Sequence, residues 1–548
     1  MLENPVLRGF NPDPSFCRVG EDYYLATSTF EWYPGVQIHH SRDLVNWTLV
    51  ARPLRRASQL DMRGNPDSGG IWAPCLSWAD GRFWLVYTDV KRLDGAFKDA
   101  HNHIVTCATV DGDWSDPIYV NSSGFDPSLF HDADGRKWFV QMRWNHRGPG
   151  SGVNPAHDAF DGIILQEWHP ERGLIGPVHD IYAGTELGLT EAPHLFRRGD
   201  YYYLTIAEGG TGYDHAVTLA RARAITGPYE THPARHVITA RFNPENPIQR
   251  MGHGQYVAGH DGRHWHSFLC GRPQAGPRGR FCATGRETGL AEVVWRDDWL
   301  WLKDGGLVAP ATVALPAMRR APVPVAHDFT GATLPPEFQW LRTPAPERLF
   351  TLTGSALRLT GREGLGSWFE QCLVARRQEE PAYGAEAAFL ADPPSWQQAA
   401  GLITYYNRHK FHAALITRHG GARVVSLVSC LGDWPGEALT CHGHHPVPDG
   451  RVTLGVRVDR ASQRFAVNGA EVGPVLDASL ISDEGGRGEH ASFTGAFVGM
   501  VAHDLTGQGW TAEVTRFVYT NGANGDPPPS PPDRGGSGAA RGPGSGCL

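Results

Sequence analysis

The chain has 548 residues, with 50 Lys and Arg against 58 Asp and Glu, a net charge of −8 and a charged fraction of 20%. That balance excludes the basic surface that nucleic acid or an anionic membrane selects for, and 41% hydrophobic residues is too many for a disordered chain. The 66 glycines, 41 prolines and 10% aromatic residues lean towards short strands and tight turns, an all-β protein.

The first residues, Met1-Leu-Glu-Asn-Pro-Val-Leu-Arg-Gly-Phe10, carry no basic stretch followed by an apolar one, and no run of 18 apolar residues occurs anywhere. Neither a secretory signal nor a membrane span is therefore expected. The nine cysteines are odd in number, scattered and free of any Cys-x-x-Cys spacing. This pattern predicts small reduced core residues in a cytoplasmic protein rather than a disulfide framework or a zinc ribbon.

Along the first three hundred residues one phrase returns five times: a polar turn, an aromatic residue, then a short apolar strand. It reads Gly20-Glu-Asp-Tyr-Tyr-Leu-Ala-Thr27, Asp80-Gly-Arg-Phe-Trp-Leu-Val-Tyr87, Asp134-Gly-Arg-Lys-Trp-Phe-Val-Gln141, Gly199-Asp-Tyr-Tyr-Tyr-Leu-Thr-Ile206 and Asp261-Gly-Arg-His-Trp-His-Ser-Phe268. The anchoring aromatics Tyr24, Trp84, Trp138, Tyr203 and Trp265 are spaced by 60, 54, 65 and 62 residues. The Asp-Gly and Gly-Asp pairs supply the positive φ of a hairpin turn. About 60 residues suit a four-stranded blade, so five units predict a five-bladed β-propeller. The absence of long helical periodicity removes TIM-barrel and Rossmann readings.

Upstream of four hairpins stands a proline-containing strand start: Asp13-Pro-Ser-Phe, Ala73-Pro-Cys-Leu, Asp126-Pro-Ser-Leu and Ala192-Pro-His-Leu; the fifth unit has Gly252-His-Gly-Gln255. If each opens the innermost strand of a blade, Asp13, Trp72, Asp126, Glu191 and His253 converge at the propeller axis. Any one Asp-Pro read alone is an Asx-type turn at a strand end. Three carboxylates meeting at one mouth are costly unless used, because like charges disfavour joint ionisation. Glycoside hydrolysis uses such a set: one carboxylic acid protonates the leaving oxygen, and a carboxylate activates water or attacks the sugar. Flat aromatic rings also suit the C–H faces of a pyranose, with sheet packing as the alternative.

Gly9-Phe-Asn-Pro-Asp-Pro-Ser15, Ala26-Thr-Ser-Thr-Phe-Glu-Trp-Tyr-Pro-Gly-Val-Gln-Ile-His-His40, Ser41-Arg-Asp-Leu-Val-Asn-Trp47, Gly124-Phe-Asp-Pro-Ser128, Thr190-Glu-Ala-Pro-His194 and Gly285-Arg-Glu-Thr288 together resemble glycoside hydrolase family 43, and within it the two-domain β-xylosidases. The resemblance runs to about residue 520. It implies a five-bladed propeller and an inverting mechanism, in which Asp13 is the general base, Glu191 the general acid, and Asp126 the residue that tunes and orients the acid. Inversion requires carboxyls roughly 6.5–9.5 Å apart to admit a water. By the same resemblance Phe30, Trp72 and Trp144 wall the sugar subsites, and Arg286 grips ring hydroxyls with its fixed fork; a surface ion pair with Glu287 is the other reading of Arg286. His253 resembles the family's axial histidine, beside which a structural calcium or other divalent ion, held through water, would sit. A hydrogen-bonded structural histidine is the alternative, and no cofactor is required for the chemistry. The expected activity is exo-acting release of D-xylose from short β-1,4-xylo-oligosaccharides. An α-L-arabinofuranosidase and a non-catalytic carbohydrate-binding propeller are the rivals, and a homo-oligomer is left open.

Other signals carry less. Cys441-His-Gly-His-His445 reads as a loop, Gly209-Gly-Thr-Gly-Tyr213 lacks the helix of a phosphate loop, and His101 and His103 read as a solvated or packing pair. The propeller is expected over 1–305. Residues 306–325, with Pro310, Pro316, Pro322 and Pro324, form a semi-rigid strap. Over 326–520 the pattern is β again, with an Asn-Gly hairpin in Arg464-Phe-Ala-Val-Asn-Gly-Ala-Glu-Val472, and roughly two hundred such residues imply a β-sandwich. Asp328-Phe-Thr-Gly and Phe493-Thr-Gly-Ala-Phe-Val-Gly499 resemble the concanavalin-like C-terminal domain of the same β-xylosidases. In those relatives a sandwich loop closes the pocket, and Phe493 or Phe497 is the residue expected to do so here. Residues 521–548, rich in Pro and Gly, are expected to be disordered.

Overall fold

The structure, a computed structural model, describes residues 1–148, 150–154, 156–320, 324–432, 439–486 and 492–522. The expected tail thus lies almost wholly outside the described residues, as does Pro322 of the strap. Five antiparallel sheets make the propeller. Each of the five repeated phrases forms the second strand of its sheet: Asp22–Thr27, Arg82–Arg92, Lys137–Trp144, Tyr201–Glu208 and His264–Gly271. Each proline-bearing start leads into the innermost strand: Ser15–Val19, Cys75–Ala79, Ser128–His131 and Glu191–Arg198, with the split pair Gln249–Gly252 and Tyr256–Ala258 in the fifth blade. The anchoring aromatics Trp84, Trp138, Tyr203 and Trp265 are buried, packing sheet on sheet. The N-terminal segment closes the ring on the fifth blade: Val6 and Leu7 donate backbone N–H bonds to Thr288 O, and Asn4 bonds both the amide and the carbonyl of Leu290.

The strap is held to the propeller rather than spanning free. Thr312–Val313 pairs with Leu2–Glu3, and Asn46 bonds Met318 O and the Arg320 amide. Hydrogen bonds of this kind, as much as proline stiffness, fix its course.

Beyond the strap two large sheets form a sandwich. In Arg451–Asp459 the buried residues Val452, Leu454, Val456 and Val458 alternate with more exposed ones, as expected of a strand with one face on a core. Gln398–Asn407 is instead buried at every position, because its outer face packs on the propeller. Cys441–His445, read above as a loop, belongs to the strand Leu439–Pro446. Gly443 sits at a register shift there, and this glycine among three histidines hid the strand.

The two domains share a sheet. Trp32–Tyr33, from a loop of the first blade, pairs with Gln339–Leu341 at the sandwich edge, placing Trp340 opposite Tyr33 and Leu341 opposite Trp32. Trp32 stacks on Phe497 with ring centroids 3.7 Å apart and planes 12° apart. Beside this seam Arg342, 1% exposed, donates to Asn65 O at 2.8 Å and Asp67 Oδ1 at 2.7 Å, while Arg408 lies 3.1 Å from Asp67 Oδ2. Burial pushes the neighbouring Glu31 carboxyl up, with the Asp67 charge adding to the rise and Arg342 opposing it.

Removing one partner of such a buried cluster leaves charge uncompensated, at about 3–5 kcal/mol. Arg342→Ala is therefore expected to lower the thermal unfolding midpoint by several degrees and to reduce activity by loosening the domain seam. An unchanged midpoint in calorimetry would show that Arg342 does not hold the seam.

Candidate active site

The catalytic candidates stand on one recurring backbone device. Asp13 (φ +55°), Asp126 (φ +53°) and Ala192 (φ +53°) each precede a proline at the start of an innermost strand, and each adopts the left-handed conformation. A residue before proline is normally extended, and non-glycine residues seldom take positive φ. Strain repeated at one end of three blades marks a functional mouth. Glu191 is offset by one residue from the two aspartates and pairs with Ala207.

The five residues predicted to converge from five blades, Asp13, Trp72, Asp126, Glu191 and His253, all line one cavity of about 340 Å³. Asp13, 4% exposed, accepts from Ser28 Oγ at 2.6 Å and from Arg286 Nη1 at 2.9 Å. Asp126 and Glu191 are similarly buried. Burial pushes the Asp126 carboxyl well above the usual range, and the charges of Glu191 and Asp13 add to the rise. Glu191 is also held high, first by burial and then by Asp13, against the pull of Arg286 and Lys98. The coupling between Asp126 and Glu191 is reciprocal, so whichever ionises first keeps the proton on the other. This arrangement can hold an un-ionised carboxylic acid beside an ionised, hydrogen-bonded aspartate near neutral pH, as single-displacement glycoside hydrolysis needs.

Arg286 does not pair with Glu287, whose carboxylate is taken by Arg272 at 2.8 Å and by the Gly9 amide at 2.7 Å. Its fork turns instead to Asp13 and to the carbonyl of Phe493, which accepts from Nε at 3.2 Å and Nη2 at 2.9 Å. One guanidinium thus ties a propeller carboxylate to a sandwich loop. Gly285, at φ +68°, makes this approach feasible: a Cβ there would meet Thr494 O at 2.1 Å. Phe493 lines the cavity, 6.4 Å from Phe30 and 6.0 Å from Trp72 between ring centroids. Of the two phenylalanines, Phe497 is fully buried against Trp32 and Phe10 and is not among the residues lining the cavity.

Phe30 and Trp72 are in the cavity wall, and the Trp72 indole N–H donates to Ser68 O. Trp144 is not among the lining residues; it lies behind Phe125, at 6.2 Å between centroids, and beneath Lys98 Nζ, 4.4 Å from its ring. Sequence reasoning missed Lys98, Phe125, Phe160, Gly210 and Thr211, all of which line the cavity. Phe125 adjoins Asp126 and was within reach of the same reasoning. Gly210 and Thr211 belong to the glycine segment dismissed as a phosphate loop. Lys98, between repeats, carried no signal.

Around His253 four buried imidazoles have a ring nitrogen without a protein partner: Nε2 of His253, His215 and His266, and Nδ1 of His194. Burial lowers the pKa of all four, to about 3 for His194, His215 and His253, so they are neutral lone-pair bearers. Among the described residues no three metal-ligating side chains come together to bind an ion directly. What fits these orphaned nitrogens is a water shell, alone or around a cation.

The chain matches the family described as Glycosyl hydrolases family 43 over residues 2–300, and the Beta xylosidase C-terminal Concanavalin A-like domain over residues 326–520. It is 52% identical over 538 residues to Xylosidase/arabinosidase 43B of Humicola insolens, covering 94% of this chain and 97% of that one. It is 45% identical to Beta-xylosidase of Bacillus subtilis (strain 168), covering 94% and 99%. Among solved structures, the xylan beta-1,4-xylosidase from Bacillus halodurans C-125 superposes with a TM-score of 0.89 at 44% identity, covering 95% of this chain and 100% of that one.

The raised carboxyls set the sign of a stability effect. Above the ordinary carboxyl pKa the unfolded chain has lost protons that folded Asp126 and Glu191 still hold, so stability falls as pH rises towards their folded values. Asp126→Asn removes this cost. It is expected to unfold at a higher temperature than the parent at about pH 8, with a smaller gap at about pH 5, while turnover falls by about 10²–10⁴-fold. An identical gap at both pH values in differential scanning calorimetry would contradict the assignment.

Proposed function

The chain belongs to glycosyl hydrolase family 43 and is a glycosidase, and on that premise we propose that it releases D-xylose from the non-reducing ends of short β-1,4-xylo-oligosaccharides by single displacement. The observation that carries the exo-acting part is the Phe493 contact: a loop of the second domain is bonded by Arg286 over a pocket walled by Phe30, Trp72 and Phe125. A pocket closed on that side takes a chain end and refuses a chain interior.

In this reading a xylosyl ring lies against the aromatic walls with its anomeric carbon between Asp13 and Glu191. Glu191, kept protonated by burial and by Asp13, gives its proton to the glycosidic oxygen as the C1–O bond breaks. Asp13, fixed by Ser28 and Arg286, takes a proton from the water that attacks C1 from the opposite face. Asp126 would tune and orient Glu191; supporting this, the Glu191 charge raises the Asp126 carboxyl, which marks the two as near neighbours, and Asp126 accepts the N–H of Ala192, the residue after Glu191. A divalent ion near His253 would be held through water by the neutral imidazoles and would stiffen the axis without taking part in bond breaking. A cytoplasmic site of action is part of the proposal, and the buried thiols Cys17, Cys75, Cys270, Cys282 and Cys372 support it.

A second activity on α-L-arabinofuranosides has specific support in the name of the Humicola relative. Comparing kcat/KM on nitrophenyl β-D-xyloside and nitrophenyl α-L-arabinofuranoside is the direct test. The proposal expects the xyloside to be preferred, with the arabinofuranoside as a slower substrate. A strong preference for the arabinofuranoside would overturn the assignment.

A further inference from the structure

A second cavity, of about 410 Å³, lies at the seam between the first blade, the strap and the sandwich, and shares no lining residue with the catalytic pocket. Its wall holds six arginines against three glutamates. The glutamates are already engaged: Glu379 with Arg376 at 2.7 Å, Glu380 with Arg8 and Arg272, and Glu337 with His327 at 2.8 Å. The surplus charge therefore falls on Arg377, Arg52 and Arg320, which have no carboxylate within 4.0 Å among the described residues; Arg377 and Arg52 are the two with fork nitrogens bonded to the fold's neutral oxygens.

Arg377 is 6% exposed. It donates from Nε to Phe10 O at 2.5 Å and from Nη1 to Gln339 Oε1 at 2.6 Å, while Nη2 is buried without a partner. Arg52 donates from Nε and Nη2 to Gln37 Oε1 at 3.2 and 2.6 Å. Arg376, 3% exposed and stacked on Tyr519 at 3.9 Å, leaves Nε and Nη1 unpartnered. Neutral carbonyl and amide oxygens are the hydrogen-bond partners of Arg377 and Arg52, and Arg376 has one carboxylate partner, Glu379, although a guanidinium's geometry matches a carboxylate or phosphate at both edges.

We infer that this seam is a binding site for a small multivalent oxyanion, a polycarboxylate or a phosphate, whose oxygens are taken by Arg377, Arg52 and Arg376. Burying a cation without a counter-charge is costly, and a titratable group would shed its proton to avoid it. Arginine does not deprotonate in proteins. Burial, together with the charges of Arg52 and Arg376 and against that of Glu379, presses Arg377 well below its ordinary pKa, and burial lowers Arg52 to about 9 against the pull of Glu337. An anion relieves that pressure where proton loss does not. Its size limit is set by the cavity, which is large enough for a sugar acid or a citrate-sized molecule.

Isothermal titration of the full chain with citrate, and separately with inorganic phosphate, at ionic strength matched with sodium chloride tests the site. The expected result is saturable binding of one anion per chain, weakened at least tenfold in Arg52→Gln, and a rise in the parent's unfolding midpoint that the variant loses. Arg52 lies away from the acids, so Arg52→Gln should keep the parent's glycosidase turnover, which separates loss of the anion from loss of the fold. The preferred arm, citrate or phosphate, identifies the ligand's chemistry. A crystal soaked in selenate should show anomalous density between Arg377 and Arg52. No saturable heat with either anion, an adventitious ion only, as shown by equal binding to parent and Arg52→Gln, or selenate density confined to Arg286 would each overturn the inference.

Discussion

The structure depends on an imbalance at the propeller mouth: three buried carboxylates face Arg286, whose donors go to Asp13 and the Phe493 carbonyl, and Lys98, which donates to Leu93 O. Full ionisation of all three would place net negative charge in a buried site, and burial already penalises each carboxylate singly. In the proposed mechanism the proton that remains is the one given to the leaving group. Asp13 is bonded to the Arg286 guanidinium and to a serine hydroxyl, while burial and neighbouring charge hold the Glu191 and Asp126 carboxyls high. On the proposed mechanism, the division into base and acid follows from which carboxylate is bonded to Arg286, not from differences among the carboxyls themselves.

The same arginine explains why two domains are needed. Its remaining donors hold the Phe493 carbonyl, and they reach it because the domains are locked by a shared sheet, the Trp32–Phe497 stack and the Arg342–Asp67 pair. A loosely tethered sugar-binding module would leave Arg286 half-bonded and the pocket open. The small backbone of Gly285 is the condition for contact, since any side chain there collides with Thr494. Positioning of the base, closure of the pocket and rigidity of the seam are therefore one coupled feature.

Much of the propeller was legible in the sequence because its signals are local and periodic. The Asp-Gly hairpins, the anchoring aromatics and the proline at each strand start are dictated by backbone chemistry within a few residues. That register alone aligned Asp13, Trp72, Asp126, Glu191 and His253, and the cavity contains all five. What the sequence hid depends on long-range approach. Lys98 enters from a connection between strands, Trp144 is displaced from the wall by Phe125, and Arg286 is claimed by a carbonyl some two hundred residues away. The choice of Phe493 over Phe497 turns on which ring stacks in the seam, a matter of packing that no spacing encodes. The Cys441–His445 strand was lost because a glycine at a register shift interrupts its alternation.

The central claim is that Glu191 keeps its proton at neutrality because of its burial beside Asp13. Carbon-13 NMR of protein labelled at glutamate carboxyls, assigned by the resonance missing in Glu191→Gln, measures this directly. The account predicts that the Glu191 signal stays at the protonated shift through about pH 7 and moves to the ionised shift only above it. A Glu191 carboxyl that titrates near the ordinary value of about 4.3 would contradict the account, because the site would then hold no acid to protonate a leaving group.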